Sequence, residues 1–506
     1  MVKYVAAIDQ GTTGTRCIIF DKESSIIASA YQEHEQIYPS PGWVEHDPLE
    51  IWEKTKKVVH QALSSKHIAP EAIAGIGVTN QRETVVAWDR KKGIPLHNAI
   101  VWQCTRSVDI CERMEKDGLG PNVSNKTGLL IATYFSGPKI KWLLDTIPGL
   151  KERGRRGEVL VGNMDTWLIW NLTGGPQDGV HVTDYTNASR TMLMNLETLD
   201  WDDDLLAYFG IPRGMLPQIR QSSDERFYGK TTPDGPFQTQ IPVCGDLGDQ
   251  QAALFGQTCF SPGEGKNTYG TGNFLLLNTG PKIVRSKSGL LSTVGYGLEE
   301  GKVNYALEGS IAVTGAAIQW LRDNLCLIND AAETEKIALS VEDSGGVYFV
   351  PAFSGLFAPY WDMYARGAIL GLTRYVKKAH IVRAALEAIA FQTKDVLDAM
   401  IQDFGNSIEM LKVDGGAIDN DFLMQFQADL LGIPIIKPHV KEITSLGAAY
   451  AAGLATGFWE SPDELRKNWR AEKTYKPKWN SKERDEHYRN WKKAVEKAMG
   501  WGKENS

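Results

Sequence analysis

Apolar residues fall into two patterns that alternate along the chain. Short β-branched runs end in Gly, Asp or Asn: VAAIDQG (5–11), AGIGVTN (74–80), GEVLVGNMDTWLIW (157–170) and IPVCGD (241–246). Such runs read as buried strands. Between them lie longer stretches with apolar positions every three or four residues, as expected for helices that bury one face. Strands alternating with helices predict an α/β chain.

At residues 260–277 the scheme restarts, with FSPGEGKNTYGTGNFLLL giving a Pro/Gly loop, a strand, a Gly-Thr-Gly turn and another strand. A domain boundary is therefore expected near residue 257, dividing the chain into 1–257 and 258–506. The second part repeats the texture: VYFVPAF, a long helix over HIVRAALEAIAFQTKDVLDAM, the strand MLKVDGG and a helix over FLMQFQADLLG. Turns rich in Gly and Thr stand early in each half, which suggests an internal duplication. From Asn480 an Asn-x-x-Glu cap (Asn480, Glu483) opens a helix with Tyr488, Trp491, Val495 and Ala498 on one face.

Composition narrows the class of partner. The 506 residues are 42% apolar and 23% charged, ordinary for a globular chain large enough to enclose a cleft. The net charge is −7 and the Lys and Arg are scattered, so neither nucleic acid nor an anionic membrane is expected as a partner. No apolar run approaches the ~20 residues that span a bilayer, and no signal sequence precedes the first strand, so no integral membrane association and a cytoplasmic location are expected. Six cysteines without ligand spacing read as buried, reduced thiols. The expected partner is a small molecule.

Four turns carry the candidate chemistry. In AAIDQGTTGTRCIIF (6–20) a strand runs through an acid, two glycines and three threonines into the next strand. Consecutive N–H groups and hydroxyls there suit a phosphate, although a plain β-hairpin would account for Gly11 and Gly14 equally well. The loop is not GxxxxGK[ST], since no lysine follows the glycines. A carboxylate beside phosphates needs a cation between them, so Asp9 suggests Mg²⁺ held through waters. PVCGDLGDQQAALFG (242–256), NTYGTGNF (267–274) and LKVDGGAIDNDFLMQF (411–426) are further strand-ending turns with Gly beside Asp, Thr or Asn, with helices expected near Asp249 and Asn420. Four such turns across two α/β halves point to a nucleotide held between domains.

DQGTT, GDQQAALFG, YGTG and VDGGAIDN resemble the phosphate and adenosine motifs of the actin, Hsp70 and sugar-kinase ATPase superfamily. More narrowly, YFSGPKIKWLLD (134–145) and GAILGLTRYVKKAHIVRAALEAI (367–389) resemble the two signature segments of the FGGY carbohydrate kinases. NQRETVVAWDR (80–90), VWQ (101–103), KNTYGTGNF and FVPAFSGLFAPYWD (349–362) are similar to the members of that family that act on glycerol. The resemblance implies two ribonuclease H-like (actin-like ATPase) domains around a central ATP and substrate cleft, and transfer of the γ-phosphoryl of ATP to glycerol.

It also implies roles by position. Arg82, Glu83, Tyr134, Asp249 and Gln250 would hold the polyol hydroxyls, and Trp102 and Phe274 would flank its carbons. Thr12, Thr13, Gly14 and Arg16 would meet the phosphates with Thr271, and Gly315, Gln319, Gly416 and Asn420 would hold the ADP moiety. Asp249 is the expected base, its charge favoured by the helix start, with Asp246 as rival. Taken singly, Arg82 and Glu83 read also as a solvated loop pair, Tyr134 as a core tyrosine and Trp102 as one of fifteen tryptophans. A related kinase for a longer polyol or ketose, and a non-catalytic ATP switch, are the alternative functions. Self-association as a homodimer or homotetramer stays open.

Several positions depart from the family pattern. Gly14 and Thr15 stand where serine is common, which removes a hydroxyl at position 14. Thr105 replaces an arginine frequent after VWQC. Segment 231–242, TTPDGPFQTQIP, lacks the Gly-rich, arginine-bearing loop with which bacterial members bind a sugar bisphosphate inhibitor.

Overall fold

The computed structural model describes residues 2–503. Strand β1 (Tyr4–Gln10), buried over all but its first residue, lies at the centre of a six-stranded sheet. It pairs antiparallel with β2 (Gly14–Phe20), which pairs antiparallel with β3 (Ile26–Glu33). On its other side it runs parallel to β4 (Ile73–Asn80), which runs parallel to β5 (Pro242–Gly248). Both faces of β1, β2, β4 and β5 are covered, which is why those strands are largely apolar without alternation, whereas the edge strand β3 buries only Ala28. Helix α1 (Pro48–Ser65) covers one face, burying Ile51, Val58, Val59 and Ala62. Two further helices, α2 (Ser136–Thr146) and the one-turn α3 (Tyr185–Ala188), carry loops toward the strand ends. Helix α4 (Asp249–Gly256) follows β5 without a break.

The second half builds a seven-stranded sheet from β6 (Gly265–Tyr269), β7 (Asn273–Gly280), β8 (Leu291–Glu299), β9 (Lys302–Ile311), β10 (Leu411–Gly415), β11 (Ile435–Pro438) and β12 (Ala471–Tyr475). Its order is β8-β9-β7-β6-β10-β11-β12. Here β6 pairs antiparallel with β7 and β7 with β9, while β10 and then β11 continue parallel to β6. Each sheet thus has a first strand with a run of successively antiparallel strands on one side, two in the first sheet and three in the second, and two parallel strands next to it on the other. This is the ribonuclease H-like arrangement, present twice, and it is the duplication that the two Gly/Thr turns suggest.

Helices α5 (Gly315–Asp323), α6 (Lys378–Phe404) and α7 (Asp421–Leu431) pack around the second sheet. Helix α8 (Ile443–Ala455) returns to the first sheet, lying on β4 and β5 and crossing α4. The last helix, α9 (Ser481–Ala498), has the expected reciprocal cap between Asn480 and Glu483. Its Trp491 is fully buried, stacks on Phe391 at 5.2 Å and donates to Asp395, so this face is spent inside the chain. Among the described residues no helix is long and apolar enough to cross a membrane.

Two expectations need correction. GEVLVGNMDTWLIW is not one strand: Val159–Gly162 is a strand and Met164–Leu172 a helix. Both parts are buried but for Asn171, so neither shows a period, and only the Gly162-Asn163 break marks the change. All six cysteines are free as expected, but Cys326 is exposed while the other five are buried.

Register places the chemistry. Gln10 pairs with Asn80 and Asn80 with Gly248, so β1, β4 and β5 end side by side and deliver Asp9, Arg82-Glu83 and Asp249 to one edge. In the second sheet Tyr269 pairs with Gly415, which sets the Gly270-Thr271-Gly272 turn beside Gly416. Ligands of open α/β sheets bind at such carboxyl ends.

Candidate active site

Arg82 and Glu83 lie just past β4 and are almost wholly buried. Glu83 has φ +61°, the left-handed region, which costs a non-glycine residue about 1 kcal/mol or more and persists where the surroundings over-determine it. Three buried groups around it do so here. Arg82 makes a two-pronged pair with Glu308, Nη1 to Oε2 and Nη2 to Oε1 at 3.1 Å. Arg190 reaches Glu308 Oε1 at 2.9 Å and donates from Nε to Glu83 Oε1 at 2.6 Å. The signs alternate, so each charge faces its opposite and the desolvation of each is offset. Accordingly, Glu308 is held below the usual carboxylate range by Arg190 and Arg82 in spite of its burial. For Glu83 burial wins, and its carboxyl sits above that range.

Asp249, the first residue of α4, is still 29% open to the cleft, with Oδ1 3.2 Å from Arg82 Nε. A helix start favours the ionised form, but burial outweighs this and the nearby Arg82 and Lys266, and raises its pKa above 3.8. Asp246 is wholly buried on β5, where Asn187 Nδ2 donates to it at 3.3 Å. It faces Asp165 rather than the cleft. Gln250 is buried and accepts from Lys266 Nζ, which also donates to Thr268 Oγ1 at 2.7 Å.

Aromatic rings border this group. The Trp102 ring meets that of Tyr134 edge-on at 5.5 Å, and the Arg82 guanidinium stands 5.8 Å over Phe274. The loop carrying Tyr134 is pinned by Lys139 of α2, whose buried Nζ donates to the carbonyls of Thr133, Tyr134 and Phe135. Burial pushes the Lys139 pKa down to about 7.

The β1–β2 turn adjoins the same rings, since Trp102 Nε1 donates to Thr12 Oγ1 at 3.0 Å. Gly11 N–H closes the turn on Gly14 C=O at 2.9 Å, leaving Thr13 exposed at its tip. A Cβ on Gly14 would lie 2.6 Å from the Tyr31 ring and the Gln32 carbonyl. A side chain there would run into β3, so this position can offer a ligand only backbone. Arg16 is held between Glu442, to which its Nη1 donates, and Asp9 at 3.7 Å.

In the second half, Gly315 N–H and Ala316 N–H of α5 donate to the carbonyls of Gly270 and Thr271 at 3.2 and 3.0 Å. Turn and helix start form one unit, close enough that a Cβ on Gly315 would meet Gly270 O at 2.5 Å. Thr271, Gln319 and Gly416 are exposed beside it. Asn420 caps α7 by accepting from Leu423 N–H at 2.9 Å and donates to Thr334 Oγ1 at 3.2 Å, so its amide also has a structural task.

Among the described residues no three His, Cys, Asp or Glu side chains group to hold a metal alone. Asp9 offers one carboxylate, whose Oδ2 accepts from Ser445 at 2.9 Å. A single hard oxygen donor suits Mg²⁺, which keeps waters and takes further oxygens from nucleotide phosphates.

The cluster therefore unites Arg82, Glu83, Asp249 and Gln250 with the Trp102, Tyr134 and Phe274 rings, and adds Arg190, Glu308 and Lys266, which sequence reasoning missed. Their only signal is an ionisable residue inside a buried segment, as in YALEGSI for Glu308.

The sequence profile of the FGGY family of carbohydrate kinases, N-terminal domain, matches residues 4–256, and that of the C-terminal domain matches residues 265–456. Glycerol kinase of Chloroflexus aurantiacus is 60% identical over 501 residues, 99% of this chain and 100% of that one. Glycerol kinase of Beijerinckia indica is 58% identical over 502 residues, 99% of either chain. A crystal structure of Plasmodium falciparum glycerol kinase with ADP superposes with a TM-score of 0.92 at 40% identity, covering 98% of each chain. Both halves are matched in sequence and in fold, and the matched segments supply the strand ends that build the cleft: the chain belongs to the FGGY family of carbohydrate kinases.

Proposed function

We propose that the chain transfers the γ-phosphoryl group of ATP to a terminal hydroxyl of glycerol, giving sn-glycerol 3-phosphate and ADP. Full-length relatives at 57–60% identity carry that activity in their names, and the related solved structure holds ADP. The observation that carries the reading on this chain is the buried charged group around Arg82, partly open at Asp249 and bordered by aromatic rings. A small polyol needs donors, acceptors and apolar walls together, and such a site rejects analogues whose missing hydroxyl would leave its own groups unpaired.

In this reading Arg82, Glu83, Tyr134 and Gln250 position the hydroxyls, with Trp102 and Phe274 against the carbons. Asp249 accepts the proton of the terminal hydroxyl as its oxygen forms a bond to the γ-phosphorus and the bond to the ADP oxygen breaks. Burial serves this step, because a raised pKa makes the carboxylate a stronger base. Thr12, Thr13, the Gly14 backbone, Arg16 and Thr271 hold phosphates, and Gly315, Gln319, Gly416 and Asn420 border the adenosine. To meet a phosphate, Arg16 exchanges Glu442 for it. Asp9 would hold Mg²⁺ through waters, and the ion would neutralise phosphate charge.

The test is ADP release from Mg·ATP with glycerol, a tetritol, a pentulose or no acceptor, with products identified by mass spectrometry. Turnover with glycerol, yielding glycerol 3-phosphate, is expected. Faster turnover of the pentulose would move the chain to the ketose-acting members, and release indifferent to acceptor would end the kinase reading.

A further inference from the structure

We propose that Glu308, with Arg190 as its bridge to Glu83, is the positioning residue that fixes which groups of Arg82 and Glu83 meet the polyol. Glu308 stands in β9 of the second sheet, whereas Arg82, Glu83 and Arg190 belong to the first half. The second half therefore orients the polyol-binding arginine of the first, and polyol affinity depends on the two halves holding their register. The inference rests on the glycerol reading above.

Counting donors shows how far the orientation is set. A guanidinium has five N–H groups in one plane. In Arg82, Nη1 gives to Glu308 Oε2 and, at 3.0 Å, to Gln251 Oε1. Nη2 gives one N–H to Glu308 Oε1, and Nε faces Asp249. One Nη2 N–H is left over, in a plane that cannot turn while Glu308 grips two corners. Glu83 Oε1 is taken by Arg190, whose guanidinium is itself flanked by the Tyr134 and Phe135 rings at 5.7 and 5.4 Å. A polyol hydroxyl is thereby directed to Glu83 Oε2. One donor and one acceptor at fixed positions define which hydroxyls are read. Apolar residues of similar volume would often serve stability as well as this buried group does, so a need for geometry is the better account of it.

The experiment compares wild type with Glu308→Gln, Glu308→Asp and Arg190→Lys, using glycerol, 1,2-propanediol and 1,3-propanediol as acceptors. With glycerol, Glu308→Gln is expected to raise KM by roughly 10- to 100-fold, the range for a lost charge-assisted hydrogen bond or two, while the KM for ATP changes less than about 3-fold. The preference for glycerol over each diol should shrink in Glu308→Gln and recover in part in Glu308→Asp, which keeps the charge. Arg190→Lys should raise the glycerol KM without changing that for ATP. Equal rises in both KM values, or a diol preference unchanged in every variant, would overturn the proposal and leave Glu308 a merely structural charge. If Glu308→Gln does not fold, the Asp and Lys variants decide alone. Failure of wild type to phosphorylate glycerol would instead strike the underlying reading, so the two failures are told apart by the unsubstituted protein.

Discussion

A carboxylate that must accept a proton gains from losing some of its hydration, and Asp249 illustrates the balance. Two cations near it would hold its pKa down, yet burial lifts it above 3.8. Replacement by Asn keeps the shape and removes the proposed base. Turnover of Asp249→Asn should fall roughly 10²- to 10⁴-fold with nucleotide affinity little changed. The base works only ionised, so wild-type turnover must decline as pH drops through the raised pKa, and the residual activity of the variant should lack that acid limb. A pH profile of kcat for both proteins checks this; near-normal turnover in the variant would remove Asp249 from the role. Asp246, its rival on sequence grounds, is sealed on the far side of the same turn, a distinction of three residues that spacing alone could not settle. Motif reading reached the residues that stand in Gly-rich turns, because those turns have a visible composition. Arg190 and Glu308 lie in an ordinary helix-end loop and an apolar strand, and only folding shows that they meet.

At the scale of elements, the joint between the halves is a crossing of α4 and α8 so close that backbone meets backbone. A Cβ on Gly447 would lie 1.8 Å from Ala252 O, and one on Gly256 would lie 2.2 Å from Ile443 O. A carbonyl in a helix cannot rotate aside as a side chain can, so the helices must part to admit a methyl group. Gly447→Ala should therefore destabilise the chain by about 2 kcal/mol or more, at the upper part of the range for overpacking and in spite of the better helix propensity of Ala. A drop in the urea midpoint checks it; an unchanged midpoint would mean that the crossing has slack. Element types were legible wherever a period or a cap was present, as in α9 with its Asn480-Glu483 pair. They were not legible at 157–170, where burial on all sides erases the period for strand and helix alike. The return of α8 to the first sheet left no local trace, since its stripe of Gly and Ala reads as an ordinary buried helix until its partner is known.

The whole molecule also carries buried charge that catalysis does not use, and this makes its stability depend on pH. Asp165, Asp184 and Asp246 lie together beneath the β5 end, all fully buried. Asp184 is saturated by Thr186, Asn187 and Ser222. By contrast, Asp165 Oδ1 and Asp246 Oδ2 have no other donor, and one proton shared between the two carboxyls satisfies both. Burial raises the Asp165 pKa to about 6 and that of Asp246 well above 3.8. The folded state thus binds more protons than the unfolded chain between 3.8 and about 6, and the contribution of Asp165 to stability falls as pH rises through that window. Asp165→Asn removes the ionisation while its Oδ1 can still accept from Thr183 Oγ1, which lies 2.6 Å from the present carboxylate. The variant should match wild type in thermal midpoint near the lower end of the window and exceed it above the upper end. Midpoints measured across that range give the answer: a gain for Asp165→Asn that did not grow with pH would show that the site is fully protonated, or fully ionised, in both states.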